Sequence, residues 1–375
     1  MTENPFVFGK TVHESDFCNR SRDIEFLHNQ FNSNANTILI SPRRWGKSSL
    51  VEEAARRYTK DNVRFVFIDL FKCRTPEEFY NAYVQSLLKA TNSKTEEAFQ
   101  FVSKWVKSIV PHLSFQPDVN NEFSIRFQSV AGINEEDLLN LPQTLASKKN
   151  IRIVLCIDEF QNIDYFPHPV EFQRKLRAFW QQHQKVHYCL YGSKRHLMHQ
   201  LFETSELPFY RFGAVHYLKK IDIGEWIPFV SEKFKKTGKH ISDEQTRVIC
   251  QAMDAHSYYT QYAFQILWYI SSTKVSSDNV EEALIRLGEQ NELQFYKIVE
   301  DLTTYQLNYL KALCSETQNI HSKENIATFS LGTSATIQRS IQALLQKDVI
   351  DTMGSETVFV DPAFQWWFKK VFLMR

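Results

Sequence analysis

The chain has 375 residues, with 44 Lys and Arg against 43 Asp and Glu, and 43% of its residues are hydrophobic. That length exceeds what one hydrophobic core serves well, so two or three domains are expected. Near-neutrality excludes a polybasic protein that holds nucleic acid through bulk charge alone. Residues 1–6 lack the basic-then-apolar order of a signal peptide, and no apolar run approaches the roughly 20 residues that cross a bilayer. The six cysteines (Cys18, Cys73, Cys156, Cys189, Cys250 and Cys314) are dispersed, with no Cys-x-x-Cys. This is the pattern of a reduced, cytoplasmic protein without membrane association.

Along the first half, strand and helix signals alternate. Thr37–Ile40 is a short apolar run followed by a helical stretch from Lys47 to Tyr58. Val63–Leu70 is a second run, and helical periodicity follows from Pro76 to Ala90. Ile151–Ile157, His187–Tyr191 and Ala214–Leu218 read as further strands, with helices over Val170–Gln184 and Lys194–Phe202 between them. Such alternation implies βαβ units and a parallel sheet covered on both faces. Residues 91–149 interrupt it and read as an insertion, with a helical piece at Phe99–Val110, a Pro-punctuated segment at Pro111–Pro117 and a strand-like Phe123–Phe127. From Trp226 to about Gly288 the periodicity is helical throughout. After Leu302 the order is three helices, the third from Leu331 to Gln346, and a short hairpin around residues 353–355, which fits a winged helix.

Two motifs carry chemistry. Ser41, Pro42, Arg43, Arg44, Trp45, Gly46, Lys47, Ser48 and Ser49 lie between a strand and a helix. A loop there aims backbone N–H groups and a helix N-terminus at one spot, which favours phosphate oxygens. Lys47 would reach β/γ-phosphates and the Ser48 hydroxyl would take a place on Mg²⁺. Ser41 stands where the usual pattern has its first Gly, and Gly-Lys-Ser alone also suits a surface turn. The second motif is the apolar run ending in Asp158 and Glu159. Delivering adjacent carboxylates to a strand end is costly without a cation nearby; the bland alternative is a solvated acidic turn. With the Lys47 loop about 110 residues upstream, Asp158 is read as a Mg²⁺ ligand through water and Glu159 as the group that orients and deprotonates the attacking water.

Arg43, Arg44, Gly46, Lys47 and Ser48 together with Asp158, Glu159, Phe160 and Gln161 resemble the archaeal-type P-loop ATPase family, of the STAND group of AAA-related NTPases. The resemblance implies an α/β fold: an AAA-like, ASCE-type P-loop NTPase parallel-sheet core, a helical domain and a C-terminal winged helix. Its divisions here are residues 1–222, 223–297 and 298–375. It also implies that Asn19 and Arg20 belong to a box near the nucleotide base, with Asn19 in place of that box's Gly. Ser193, after Tyr191 and Gly192, matches the sensor-1 group that meets the γ-phosphate. Arg211 matches a charge-stabilising arginine, acting in cis or in trans; a structural ion pair is the competing reading. His256–Gln261 is similar to the family's Gly-x-Pro helix start, with Ser257 at the Pro position, and Asp361–Trp366 is similar to the end of its winged helix. ATP rather than GTP follows from the family alone.

Other features have plainer readings. His183 and His187 would need a third ligand and a continuous helix to bind a metal. His196, His199 and Arg195 suit a solvated helix face, and Trp45, Trp366 and Trp367 suit packing. In the winged helix, from Ile298 to Arg375, seven Lys and Arg face eight Asp and Glu, and the third helix offers only Arg339 as a cation. Sequence-independent DNA binding needs several phosphate contacts, so this domain reads as a packing or protein-partner module. The expected activity is Mg-ATP hydrolysis, slow without a partner, that resets a molecular switch by closure between the phosphate loop and the helical and winged-helix segments. The alternatives are a DNA-associated winged-helix protein modulated by its ATP site, and a nucleotide-binding scaffold without turnover. ATP and ADP are the expected ligands; the protein partner and the oligomeric state stay open.

Overall fold

The computed structural model describes residues 3–91, 113–117, 123–127, 135–315, 319–353 and 356–374. Two compact units divide the chain: Arg20–Lys219, and Met1–Asn19 with Lys220–Arg375.

The unit Arg20–Lys219 is built on five parallel strands: β1 (Thr37–Ile40), β2 (Val63–Asp69), β5 (Arg152–Asp158), β6 (Val186–Gly192) and β7 (Ala214–Tyr217). Two more, β3 (Leu113–Pro117) and β4 (Phe123–Phe127), form a separate antiparallel ribbon. The five-stranded order is β2-β5-β6-β1-β7. The central strands β1 and β6 are buried at every residue, and β5 from Ile153 to Ile157, so they read as unbroken apolar runs. The edge strand β2 alternates between buried and exposed residues. Register sets the ends level: Ile40 pairs with Gly192, Ile157 with Leu190, and Asp69 with Asp158. The strand carrying Asp158 is therefore not beside β1, because β6 lies between them.

Helices Lys47–Arg57, Pro76–Thr91, Pro169–Trp180 and Arg195–Glu203 fall where the periodicity places them, with Pro169–Trp180 ending four residues early. The segment 91–149 departs further from the insertion expected of it. Leu113–Pro117 pairs as a strand, following its period-2 alternation rather than the turn chemistry of its prolines. Glu135–Lys149 is a helix whose Leu138, Leu139, Leu141, Leu145 and Ala146 sit in the same core as the sheet. Its internal Pro142 masks that periodicity in the sequence. The helical piece read at Phe99–Val110 lies outside the described residues. Around the sheet, Trp180 stacks on Tyr188 at 4.2 Å, and Phe160, Phe202 and Phe209 close the core.

In the other unit, helices Ile223–Lys236, Asp243–Ala252, Ser257–Ile270 and Ser277–Glu300 are followed by Thr304–Cys314, Lys323–Thr328 and Ser334–Gln346. A hairpin, β8 (Ile350–Met353) and β9 (Glu356–Phe359), and the helix Pro362–Trp367 complete the winged helix. Reciprocal capping boxes at Ser242/Gln245, Ser276/Asn279 and Thr303/Gln306 satisfy orphan N–H groups and set three helix starts. Residues 3–19, counted with the ATPase core on sequence alone, group with this unit. Phe6 lies between Phe234 and Phe264, and Lys233 donates to the Pro5 carbonyl and to Asp16. Trp367 is buried against Phe295, Tyr296 and Phe364, as its packing role requires. All six cysteines are buried free thiols. Among the described residues, no helix is long and apolar enough to cross a membrane.

His183 and His187 are structural. His183 bonds Tyr188 and Asn140, and His187 Nδ1 lies 2.9 Å from Asn34 Oδ1, leaving its buried Nε2 without a partner. Burial holds their pKa values down, to about 4 for His183 and, with Arg152 adding repulsion, to about 3 for His187. Below pH ~6.5 the unfolded chain binds protons that these folded rings refuse, so stability falls as pH drops from there toward 4. His187→Gln should flatten that decline by up to about 1.4 kcal/mol per pH unit, measured by urea unfolding between pH 7 and 5. An unchanged slope would show that His187 takes its proton without cost.

Candidate active site

The site forms where the level ends of β1, β5 and β6 meet the start of helix Lys47–Arg57. Ser41, fully buried, donates its N–H to the Gly192 carbonyl at 3.3 Å and its hydroxyl to the Pro42 carbonyl. The loop thus leaves the sheet beside β6. Arg44 (φ +63°) and Gly46 (φ +89°) take left-handed backbone. A Cβ on Gly46 would meet no atom within 4 Å, so glycine is required there for its backbone angle, not for room. The Gly46 carbonyl accepts from the Leu50 N–H at 2.9 Å and closes the first helical turn. The N–H groups of that turn have no intrahelical partners, which makes the helix start a natural anion site.

Beneath the loop, Trp45 is buried and its carbonyl accepts from Arg20 Nη2 at 2.8 Å. Arg20, also buried, donates to the Lys219 carbonyl and to Asp23. Arg20 therefore braces the loop from below. Asn19 is the last residue of the N-terminal segment that belongs to the other unit. Arg43 and Arg44 are exposed, Pro42 and Ser48 half-buried, and Ser49 buried.

Charge organises the centre. Lys47 Nζ lies 2.9 Å from Asp158 Oδ1 and 2.7 Å from Glu159 Oε1. Ser48 Oγ donates to Asp158 Oδ2 at 2.5 Å. Ser193 Oγ at 2.8 Å and Gln161 Nε2 at 2.5 Å both donate to Glu159 Oε2. Glu159 itself has left-handed backbone, φ +51°, at the turn out of β5. Burial would lower the Lys47 pKa, but the two carboxylates outweigh it and leave it raised. For Asp158 burial dominates over Lys47 and Ser48, so its pKa is raised. Burial acts on Glu159 too, but Lys47 and the bonds from Lys47, Gln161 and Ser193 prevail and lower its pKa. The two adjacent carboxylates are thereby pushed in opposite directions.

The donor set also bears on Mg²⁺. A hydroxyl and a carboxylate, both hard oxygen donors, converge at Ser48 and Asp158. Among the described residues no cluster of three or more His, Cys, Asp or Glu could hold a metal alone. A small set of one hydroxyl and one carboxylate suits Mg²⁺, which keeps waters and takes phosphate oxygens to complete its shell.

Of the residues singled out in the sequence, Lys47, Ser48, Asp158, Glu159 and Ser193 are brought together, while Arg211 is not joined to them. Its guanidinium is exposed and lies over the Tyr210 ring at 5.1 Å. Gln161 joins them through Glu159, although a glutamine two residues past a carboxylate has no charge to mark it in the sequence. His199 pairs with Glu203 on an exposed helix face, and His196 is exposed. Lys47→Ala leaves two half-buried carboxylates without their cation, and should destabilise the protein in the absence of ligand by about 1–3 kcal/mol. Urea unfolding measures this, and adding Glu159→Gln should recover part of the loss. An unshifted midpoint for Lys47→Ala would mean that charge does not hold the cluster.

Comparison with known proteins agrees with this architecture. Residues 32–201 match the AAA domain family and residues 293–370 match a probable winged helix domain. The fold resembles a Walker-type ATPase of Pyrococcus abyssi at TM-score 0.67 and 13% identity, covering 96% of this chain and 98% of that one. It also resembles the ORC2 protein of Aeropyrum pernix, solved with ADPNP and ADP, at TM-score 0.56 and 14% identity, covering 92% and 90%. At these identities the likeness is one of fold. No curated protein sequence matches the chain. With the sheet order, the Lys47 loop and the matched segments in agreement, the chain joins a P-loop ATPase domain of the AAA type to a C-terminal winged helix domain.

Proposed function

We propose that this protein binds Mg-ATP and hydrolyses it slowly, as a cytoplasmic switch of the STAND type whose nucleotide state is read by a protein partner. The observation that carries the reading is the convergence of Lys47, Ser48, Asp158, Glu159 and Ser193 on one point at the start of a helix. The nucleotide seen in the ORC2 protein supports it. Lys47 exchanges its carboxylate partners for β- and γ-phosphate oxygens, aided by the N–H groups of the loop and first helical turn. Mg²⁺, when bound, neutralises charge on the phosphoryl oxygens, and Ser48 and Asp158 are the residues that would hold it. Glu159 orients a water and takes its proton on a carboxylate oxygen as that water attacks the γ-phosphorus and the bond to the β-phosphate oxygen breaks, releasing ADP. Ser193 turns its hydroxyl to the γ-phosphate, and Arg211 supplies a cation to the developing charge, in cis or in trans.

Arg20 serves the loop rather than the nucleotide, as its bond to the Trp45 carbonyl supports. Asn19 stays a candidate contact of the base. Residues 223–297 act as the helical lid and 298–375 as the winged-helix readout. The charge of the winged helix, seven cations to eight anions with Arg339 alone on its third helix, supports a protein partner over DNA.

Phosphate release from Mg-ATP tests the reading. Wild type should turn over, Glu159→Gln should bind ATP yet lose at least about 100-fold in rate, and Lys47→Ala should lose binding. Release by Glu159→Gln at the wild-type rate would remove Glu159 from the chemistry. ATP binding without release by wild type would leave a nucleotide-gated scaffold.

A further inference from the structure

We propose that Gln161 is a positioning residue for the Glu159 carboxylate, and that residue 192 is glycine so that Gln161 can reach it. The proposal deepens the ATPase reading and names a residue for that same site.

Gln161 is 1% exposed and sits in the tight turn Phe160–Tyr165 that follows β5. Its amide Nε2 donates to Glu159 Oε2 at 2.5 Å, the oxygen that also accepts from Ser193. The other oxygen, Oε1, takes Lys47. The opposite end of the Gln161 amide lies against the end of β6: a Cβ built on Gly192 would come within 2.0 Å of Gln161 Oε1 and 2.6 Å of Met198 Sδ. Any larger residue at 192 would displace that amide. Gln161 Oε1 is also buried with no hydrogen-bond partner. A buried acceptor left unpaired opposes folding, so an apolar side chain of similar volume would suit the packing better. What glutamine adds is the donor end on Glu159.

The two halves of the carboxylate therefore have different fates. When Lys47 turns to phosphate, Oε1 loses its partner and is free to accept from water. When Ser193 turns to the γ-phosphate, Oε2 keeps Gln161. One oxygen stays tethered while the other works, and the tether comes from the turn after β5, separate from the groups that follow the nucleotide.

Two sets of variants test this. Gln161→Met keeps the volume without the donor, and Gly192→Ala keeps the donor but pushes it away. Both should lower single-turnover hydrolysis about tenfold or more, while the Kd for a fluorescent ATP analogue stays within about twofold of wild type. Adding Gly192→Ala to Gln161→Ala should cost less than Gly192→Ala costs alone, because only the contact with Met198 is left. Rates within about twofold of wild type in Gln161→Met, or an affinity loss matching the rate loss, would overturn the proposal. A second readout needs no activity: urea unfolding of wild type, Gln161→Met, Glu159→Ala and the double variant. Non-additive midpoint shifts are expected for a direct bond; additive shifts would overturn it. If wild type does not hydrolyse ATP, the ATPase reading falls and this cycle alone decides whether Gln161 holds Glu159.

Discussion

One ammonium group holds the centre of this molecule. Lys47 stands between Asp158 and Glu159, within hydrogen-bond distance of both carboxylates and largely out of water. Two adjacent carboxylates at a strand end repel each other and resist burial, and Lys47 is the cation that lets them coexist. The same group that balances them at rest is the one an incoming phosphate would claim. Under the proposed function, charge balance at rest and ligand binding compete for a single side chain, a simple physical basis for a site whose internal bonds would change as it fills.

That arrangement depends on backbone register. Lys47 follows β1 and the carboxylates end β5, yet these strands never touch; β6 lies between and brings Ser193 to the Glu159 carboxylate. The level pairing of Ile40 with Gly192 and of Ile157 with Leu190 places the three strand ends in line. Because side chains alternate along a strand, a shift by one residue would turn Asp158 to the opposite face. Uniform burial of β1 and β6 and the apolar centre of β5 make such a shift costly. The apolar core therefore protects the geometry of the charged site at its edge.

The supporting contacts are less conspicuous. Arg20 grips the loop through the Trp45 carbonyl, a bond to backbone that depends on no particular loop side chain. Gln161 acts from a turn and Gly192 by having no side chain. Gln161 and Gly192 carry no charge and Arg20 spends its own on Asp23 and backbone carbonyls, yet each touches either the loop or the Glu159 carboxylate.

Several things were legible in the residues alone. The alternation of apolar runs with helical periodicity identified the parallel strands, and the Lys47 loop and the Asp158–Glu159 pair were readable because both chemistries are local in sequence: a phosphate loop and a strand end are each written in a few consecutive residues. The winged helix was readable for the same reason. The sequence could not show that β6 separates β1 from β5, that residues 3–19 pack with the C-terminal unit, or that Glu135–Lys149 belongs to the core despite Pro142. Nor could it show that Arg20 braces backbone or that Gln161 needs Gly192. Those are contacts between residues 25 to 40 or more positions apart, and only tertiary packing, which decides what meets across the sheet edge, settles them.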